Sequence, residues 1–253
     1  MSEELVSIIM PAYGSANYIE QTIRSVILQN YPKWELLITN DCSPDNLEEI
    51  VLKLANNEPR IKYSRLSQNS GPAVARNASV SRAKGRYLAF LDSDDCWNTS
   101  KLERQLLFMK SNQFAFTFTD YQRMDPTGEL YDFVNHCQSK VSYTDLLKDT
   151  CITTSTVMLD RQKTGDIKFK EGWGYDDYVL WLDILKQGIE AHCLRENLVH
   201  YRVMEKSVSS NKLRAAKWVW NIYRKHEKLG LLPSSVYLLH YAKNAFLKRI
   251  GLT

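Results

Sequence analysis

Residues 86–95 read RYLAFLDSDD, a run of large apolar side chains that passes directly into a group of acids. The apolar part, 86–91, is short and continuous, which predicts a strand buried on both faces, as in a parallel sheet. Asp92, Asp94 and Asp95 follow it within four positions. Ligands of open α/β sheets bind beyond the carboxyl ends of the strands. This stretch therefore predicts a central strand and a functional site at its end.

The flanking sequence repeats the same alternation of strand and helix. Apolar runs bounded by turn residues predict strands, and apolar side chains at helical spacing predict the helices between them. This alternation indicates a mainly parallel, Rossmann-like α/β sheet flanked by helices. The further strands are predicted at 5–10, 34–39, 61–66 and 114–119, and the helices at 17–29, 45–57, 71–85 and 100–112.

The pattern is weaker after residue 120. The segment from there to about residue 150 has no clear periodicity, and a C-terminal helical extension closes the chain. The elements predicted in this half are a strand at 153–159, a helix at 176–187, a short strand pair near 190–202, and helices at 212–228 and 234–250.

The composition is that of an ordinary globular protein, with 253 residues, 44% hydrophobic and 25% charged. It predicts one large domain, or one with a small appendage, and excludes disordered and fibrous classes. The first residues carry acids where a secretory signal needs bases, and no apolar stretch reaches membrane-spanning length. Five widely spaced cysteines without a CxxC pair favour reduced thiols over disulfides or a zinc site. We therefore expect a cytoplasmic protein.

The charge is distributed unevenly along the chain. Residues 212–253 contain nine Lys/Arg and one Asp/Glu, whereas the preceding 211 residues contain 24 basic and 28 acidic side chains. A basic, aromatic tail predicts contact with an anionic surface. The alternative is that its helices pack on the rest of the chain with a solvated basic face. The first tail helix has a predicted basic stripe of Arg214, Lys217, Arg224 and Lys228 and an apolar stripe of Leu213, Ala216, Trp220 and Tyr223.

The acids at 92–95 have two interpretations. Three carboxylates this close repel one another, and a divalent cation with oxygen ligands, Mg²⁺ or Mn²⁺, removes that cost. The alternative is a helix N-cap with acids in the first turn, although an N-cap needs only one. The metal site is the favoured interpretation.

A second acidic pair lies in GWGYDDYVLW at 172–181. Asp177 shares a predicted helix face with Trp181 and Ile184, so its carboxyl is expected to be partly desolvated and able to take a proton. From this motif alone, the favoured interpretation is an ordinary N-terminal helix acid stabilised by the dipole. Trp173, between two glycines, suggests a substrate-contact loop.

Two isolated polar residues follow predicted elements. Asp41 comes at the end of a buried strand, where it is either a turn residue or a ligand contact. Arg76 stands among small side chains in GPAVARNA at 71–78, where it would bind an anion or a nearby Asp. The chain contains no GxGxxG after a strand, no GxxxxGK[ST], no GxSxG and no HExxH. The five histidines form no ligand pattern.

Five motifs in order, SIIMPAY, NDCSPD, GPAVARN, FLDSDD and YDDYVLW, resemble glycosyltransferase family 2 over residues 5–210. That family has the GT-A fold, a nucleotide-binding α/β sheet fused to an acceptor-binding half. The resemblance implies a GT-A catalytic domain at 1–211, with a nucleotide-sugar-binding half at 1–120 and an acceptor-binding half at 121–211. The tail at 212–253 follows.

The resemblance also implies roles for single residues. Asp177 matches the catalytic base, and Asp94 with Asp92 matches the metal-binding Asp-x-Asp. The family commonly has Glu-Asp where this chain has Asp176-Asp177, which puts the acceptor contact of the first acid in doubt. The nucleotide-binding residues implied are Pro11, Ala12, Tyr13, Asp41, Arg76, Asp92 and Ser93; the weaker assignments are Asp176, Trp173 and Trp181 to the sugars and Arg202 and Ser207 to the pyrophosphate.

The implied enzyme is an inverting hexosyltransferase that uses a UDP-sugar and Mn²⁺ or Mg²⁺. The order of motifs and tail resembles enzymes of bacterial cell-surface polysaccharide assembly, such as lipopolysaccharide O-antigen, capsule or teichuronic acid. This implies a lipid-linked saccharide acceptor and a peripheral position on the inner face of the plasma membrane. The sequence does not fix the oligomeric state, and a homodimer is compatible with it.

Two other classes stay open from the sequence. A nucleotidyltransferase that makes sugar nucleotides shares a related sheet, but it needs a Gly-rich basic loop where this chain has PAYGSANY. A non-catalytic saccharide- or membrane-binding protein with the same fold is the other alternative. Nucleic acid is not an expected partner, because the predicted site is acidic and recognition motifs are absent.

Overall fold

The computed structural model describes residues 4–204 and 212–249, and it gives side chains up to residue 247. In this part of the chain one mixed sheet forms the centre, with helices on both faces. Its strands are β1 (Val6–Ala12), β2 (Trp34–Asn40), β3 (Ile61–Arg65), β4 (Tyr87–Phe90), β5 (Cys96–Trp97), β6 (Phe116–Met124), β7 (Leu130–Asn135), β8 (Lys140–Val141), β9 (Met158–Asp160) and β10 (Ala191–Arg202).

The helices follow the alternation that the sequence predicts in the first half. A 3-10 turn at Thr154–Thr156 and a π-helical segment at Ile222–His226 lie outside the regular α-helices. The α-helices are α1 (Ile19–Ile27), α2 (Leu47–Ala55), α3 (Pro72–Val80), α4 (Lys101–Ser111), α5 (Tyr143–Lys148), α6 (Arg161–Thr164), α7 (Asp176–Leu185), α8 (Lys212–Asn221) and α9 (Leu231–Arg249).

The sheet order is β3-β2-β1-β4-β9-β6-β10-β5, with β7 paired to β6 and β8 to β10. Strands β3, β2, β1 and β4 are parallel, as predicted, and β10 is parallel to β6. The short strand β9 runs antiparallel between β4 and β6 and joins the two halves. Every residue of β1, β2 and β4 is buried, which explains their continuous apolar runs.

The core has two parts, one on each face of the sheet. Alternation along β1 sends Ile8 and Met10 into one cluster and Ile9 into the other. Helices α1, α2 and α4 cover the first cluster, and α7 with the C-terminal segment covers the second. The carboxyl ends of β1, β2 and β4 therefore lie together at one edge of the buried sheet.

Three predicted elements differ from the structure. The strand pair expected near 190–202 is one continuous strand, β10, because short partners from elsewhere in the chain, β8 and β5, pair with its two ends. The strand expected at 153–159 begins with a 3-10 turn, in which the Thr156 hydroxyl bonds the Thr153 carbonyl. The first tail helix changes from α to π geometry at Ile222.

The C-terminal helices pack on α5 and α7. Ala215, Val219, Ile222 and Tyr223 are buried, whereas Leu213 is 86% exposed. Of the predicted apolar stripe, Tyr223 is buried, Ala216 and Trp220 are half-buried and Leu213 is exposed, because the packed row follows the spacing i, i+4, i+7, i+8 from residue 215. The ion pair of Lys186 with Glu227, at 2.8 Å, also joins α7 to this segment.

A buried lysine gives the fold a pH dependence that can be measured. Lys101 is 0% exposed, its Nζ donates a hydrogen bond of 2.7 Å to Gln105 Oε1, and burial lowers its pKa to about 7. Because the unfolded chain then binds more protons, stability should rise from about pH 7 to pH 10, by up to about 1.4 kcal/mol per pH unit. We expect Lys101→Met to remove this rise, as measured by urea unfolding at pH 7.5 and 9.

The exposed Lys53 on α2 provides the matched control. Lys53→Met should keep the pH dependence of the native protein, because it removes an exposed lysine and leaves Lys101 in place. Equal slopes in Lys101→Met and the native protein would contradict the assignment.

Candidate active site

A cleft of about 670 Å³ lies at the carboxyl ends of β1, β2 and β4. It is bordered on one side by the loops that follow these strands and on the other by the start of α7. The position agrees with the rule for ligand sites in open α/β sheets. The predicted site residues that line it are Pro11, Ala12, Tyr13, Asp41, Arg76, Asp92, Ser93, Asp94, Asp176, Asp177 and Arg202.

Three of the predicted site residues do not line this cleft. Trp173 lines a neighbouring pocket. Trp181 is 1% exposed and packs in the core against Phe90 and Phe116, so the predicted sugar contact is wrong. It lies one helical turn beyond Asp177, and this step of about 6 Å moves the side chain from the cleft edge into the core. Ser207 lies outside the described residues.

The acidic loop at 92–95 is held by bonds that the sequence did not predict. Asp95 is 1% exposed, and its carboxylate accepts hydrogen bonds from the Ser155 hydroxyl and the Arg202 backbone N–H. The same Ser155 oxygen accepts from the Asp92 backbone N–H at 3.1 Å. Asp95 thus anchors the loop from below, while Asp92 and Asp94 face the cleft.

Arg202 braces this loop from the end of β10. Its Nε donates to the Asp94 carbonyl at 2.7 Å, its Nη1 to the carbonyls of Asp125 and Pro126, and its Nη2 to Gln21 Oε1 at 2.7 Å. The side chain is 2% exposed. Four protein acceptors therefore bind the guanidinium that was predicted to contact pyrophosphate, and its role in this structure is to position the acidic loop.

Arg76 is the cation that faces the acids of the cleft. Its Nη2 lies 2.6 Å from Asp92 Oδ1. Burial disfavours the charged guanidinium, but the charges of Asp92, Asp177 and Asp176 outweigh this and raise the pKa of Arg76. Its Nε has no hydrogen-bond partner within the described residues. Of the two partners that the sequence predicts for Arg76, an anion or a nearby Asp, the structure shows the Asp.

Asp94 differs from Asp92 in having no basic partner of its own. Within residues 4–204 and 212–247, no side chain donates a hydrogen bond to its carboxylate. Burial raises the pKa of Asp94 to about 6, and the charge of Asp92 adds to the effect. The carboxylates of Asp94 and Asp92 lie side by side and together offer oxygen ligands of the kind that a hard divalent cation prefers.

The acids of α7 have exchanged their predicted environments. Asp176 is the buried one, 9% exposed, and burial raises its pKa. Its Oδ1 accepts the Trp173 backbone N–H at 3.1 Å. Asp177 is half-buried, and its Oδ2 accepts the Thr154 hydroxyl at 2.6 Å. Its other oxygen accepts the Tyr178 backbone N–H at 2.8 Å, so the carboxylate is oriented at the cleft edge.

Asp41 shapes the opposite end of the cleft. It is 3% exposed, and its two carboxylate oxygens accept the backbone N–H groups of Ser70 and Gly71 at 2.7 and 2.8 Å. Gly71 has φ of +91°, a conformation that favours glycine, and it precedes α3. Tyr13, on the neighbouring loop, is 51% exposed, so its ring is available to a ligand.

Several wall and support residues of the cleft have no clear signal in the sequence. Thr154, Tyr175 and Tyr201 line the cleft, and Ser155 joins two parts of the acidic loop. The signal for Thr154 and Ser155 is the run of hydroxyl side chains in TTSTVML at 153–159, which is unusual for a buried strand. Their partners are distant in sequence, so the pattern alone did not name them.

Two clusters of ligand-type side chains lie elsewhere in the described part of the chain. Asp120, Cys137 and Cys193 converge between β6 and β10, and Asp183, His226 and Glu227 between α7 and the π-helical segment. The carboxylates in both already have cationic or imidazole neighbours, such as His136 Nδ1 at 2.7 Å from Asp120 and Lys186 at 2.8 Å from Glu227. Neither cluster lines the cleft.

Sequence comparison finds relatives of known class. The family model "Glycosyl transferase family 2" matches residues 7–162. The putative teichuronic acid biosynthesis glycosyltransferase TuaG of Bacillus subtilis is 44% identical over 97% of this chain and 98% of its own. The Escherichia coli enzyme WfgD, a UDP-Glc:alpha-D-GlcNAc-diphosphoundecaprenol beta-1,3-glucosyltransferase, is 37% identical over 95% of this chain and 93% of its own.

Structure comparison supports the same fold. Staphylococcus aureus TarS 1–349 in complex with UDP-GlcNAc has a TM-score of 0.70 at 21% identity, covering 92% of this chain and 70% of TarS. The mannosyltransferase PcManGT from Pyrobaculum calidifontis, in complex with GDP-Man and Mn²⁺, has a TM-score of 0.71 at 18% identity. The match covers 94% of this chain and 70% of PcManGT.

The resemblance found in the five sequence motifs is thus confirmed, and so is the predicted GT-A arrangement of a mostly parallel sheet flanked by helices. The cleft with its paired acids lies where such a sheet binds its ligand. The chain belongs to glycosyltransferase family 2.

Proposed function

We propose that the protein is an inverting, metal-dependent hexosyltransferase that moves a sugar from a UDP-sugar to a hydroxyl of a lipid-linked saccharide in cell-surface polysaccharide synthesis. One observation carries the proposal: Asp92 and Asp94 lie on one wall of a single cleft, and Asp177 lies on the wall shared with α7. A donor phosphate and an acceptor hydroxyl can then meet between them. Membership of the family argues against the nucleotidyltransferase alternative.

The nucleotide end of the cleft suits a uridine. The exposed ring of Tyr13 offers a stacking face, and Pro11 and Ala12 line the adjoining wall. Each Asp41 oxygen accepts one backbone N–H and keeps a second lone pair, so the carboxylate can also accept the uracil N–H. TarS has been solved with UDP and with UDP-GlcNAc, which supports UDP as the nucleotide.

The carboxylates of Asp94 and Asp92 would hold the divalent cation, Mn²⁺ or Mg²⁺. Asp94 brings an unpartnered carboxylate, and Asp92 has one oxygen bound to Arg76 and the other free of hydrogen bonds within the described residues. When bound, such a cation neutralises the negative charge of a diphosphate leaving group. Arg76 supplies a fixed positive charge beside the same acids, which favours the binding of a diphosphate there.

Asp177 acts as the general base. Its carboxylate takes the proton of the acceptor hydroxyl while that oxygen attacks the anomeric carbon on the face opposite the nucleotide. The bond from sugar to nucleotide breaks in the same displacement, so the anomeric configuration inverts without a covalent enzyme intermediate. The Thr154 hydroxyl and the Tyr178 N–H hold the carboxylate for this transfer. Asp176 holds the glycine loop through the Trp173 N–H.

The acceptor and the cellular position follow from the relatives and from α9. WfgD takes its name from a lipid-linked acceptor, a GlcNAc diphosphate on undecaprenol. A search of the described residues finds no helix suited to crossing a bilayer. Helix α9 nevertheless carries an exposed row, Leu232, Val236, Leu239 and Phe246, with Lys243 in the same row. We propose that this row lies in the interface of the anionic inner leaflet, with the enzyme as a peripheral cytoplasmic protein.

Loss of the proposed metal ligand should abolish metal-dependent donor binding. For Asp94→Ala we expect the affinity for UDP in the presence of Mn²⁺ to fall at least tenfold, to the level measured with EDTA, by isothermal titration calorimetry. Asp132→Ala is the control, because Asp132 is exposed on β7 and outside the cleft. Unchanged affinity in Asp94→Ala would remove this residue as the ligand.

Loss of the base should separate binding from transfer. Asp177→Asn keeps the shape of the side chain, so UDP should bind normally, while transfer of labelled sugar to extracted lipid-linked saccharides should fall at least about 100-fold. Thr154→Val, which removes only the orienting hydroxyl, should lower transfer to a smaller extent. Transfer by Asp177→Asn close to the native rate would exclude the base assignment.

Membrane contact through α9 has its own test. The triple variant Leu232→Ser, Leu239→Ser, Phe246→Ser should reduce sedimentation with phosphatidylglycerol vesicles at least tenfold without unfolding, since these side chains are 77%, 71% and 61% exposed. Phe133→Ser, 53% exposed on β7, should sediment like the native protein. Equal sedimentation of all three proteins would refute the interface.

A further inference from the structure

A second pocket, of about 300 Å³, lies behind the loop that leads into α7. Its walls come from residues 171–173 of that loop and from three positions on α8 and the π-helical segment. The next residues of the same loop, Gly174 and Tyr175, line the cleft. One short loop therefore borders both spaces. The pocket is lined by Glu171, Gly172, Trp173, Trp218, Asn221 and Lys225.

The indole rings of this pocket are fixed in place. Trp218 packs so closely on Gly174 that a Cβ at that position would lie 2.3 Å from Trp218 Cδ2. Tyr175 meets the same indole edge to face, with ring centroids 5.6 Å apart. Trp173 contacts His226 in the same geometry at 5.3 Å. A pocket whose walls are already ordered loses little conformational entropy on binding.

The chemistry of the walls suits a pyranose ring. Indole rings offer broad apolar surface to the C–H groups of a sugar, and a few polar groups then fix the hydroxyls. Within the described part of the chain, no hydrogen bond or ion pair involves the side chains of Glu171, Asn221 or Lys225. The volume of the second pocket is at the lower end of the range for ligand pockets. A pocket of this size fits one sugar ring and not a nucleotide with its phosphates.

We propose that this pocket is an acceptor subsite that holds a sugar ring next to the ring being glycosylated, so that the preferred acceptor has at least two sugars. The proposal rests on the glycosyltransferase function above. Gly174 and Tyr175 lie between the pocket and Asp177 along the loop, so a ring bound there is not the one whose hydroxyl faces the base. In this arrangement the adjoining ring reaches the cleft past Gly174, which lines the cleft and on which Trp218 packs.

The test compares mono- and disaccharide binding. Saturation-transfer NMR titrations with a panel of methyl pyranosides and methyl disaccharides, with UDP and Mn²⁺ present, should show at least one disaccharide that binds about fivefold tighter than its component sugars. Asn221→Ala and Lys225→Ala should each reduce this gain severalfold, as expected for loss of one hydrogen bond. The UDP affinity should stay unchanged.

Two controls make the result specific. Lys53→Ala, an exposed lysine on α2, should keep the disaccharide gain, and Trp218→Phe should keep more of it than Trp218→Ala. A disaccharide gain that persists in both Asn221→Ala and Lys225→Ala, or no gain in the native protein, overturns the subsite while UDP binding still supports the proposed function. Absence of UDP binding in the native protein overturns both.

Discussion

The buried Arg76 guanidinium is the charge on which the site depends. It pairs with Asp92 at 2.6 Å and is stabilised by the charges of Asp177 and Asp176 from the other wall. The carboxylates of Asp92, Asp94, Asp176 and Asp177 would otherwise repel each other strongly in a partly desolvated space. Asp92 shares one oxygen with Arg76, whereas within the described residues no basic side chain is bonded to Asp94, whose carboxylate stays available for the proposed cation.

The acidic loop at 92–95 is held in position by hydrogen bonds from residues next to β9 and at the end of β10. Ser155, from the turn before β9, binds both the Asp92 N–H and the Asp95 carboxylate, and Arg202, from the end of β10, binds the Asp94 carbonyl. Asp95 is buried and points away from the ligand side. A group of acids that looks uniform in the sequence therefore contains one buried anchor, Asp95, and two acids that line the cleft, Asp92 and Asp94, and the loop they form is supported by β9 and β10.

The C-terminal segment forms part of the wall of the second pocket. Helix α8 packs on α9 and on the π-helical segment, and Trp218 covers Gly174 at the loop that precedes the acids. Helix α9 presents an apolar row to solvent on the same segment. If α9 rests on a bilayer, the segment that contacts the lipid is continuous with the one that walls the proposed acceptor subsite. A lipid-linked saccharide would then reach the cleft from the membrane side.

The sequence by itself determined the parallel α/β half and the acids at its strand ends, because burial of β1, β2 and β4 leaves a continuous apolar run and a sharp polar end. The tertiary structure alone decided which acid is buried, since Asp176 and Asp177 differ only in their neighbours. It also placed Trp181 in the core and brought Ser155 to Asp92, 63 positions earlier. Contacts between distant segments set burial and hydrogen bonding, and local periodicity carries no record of them.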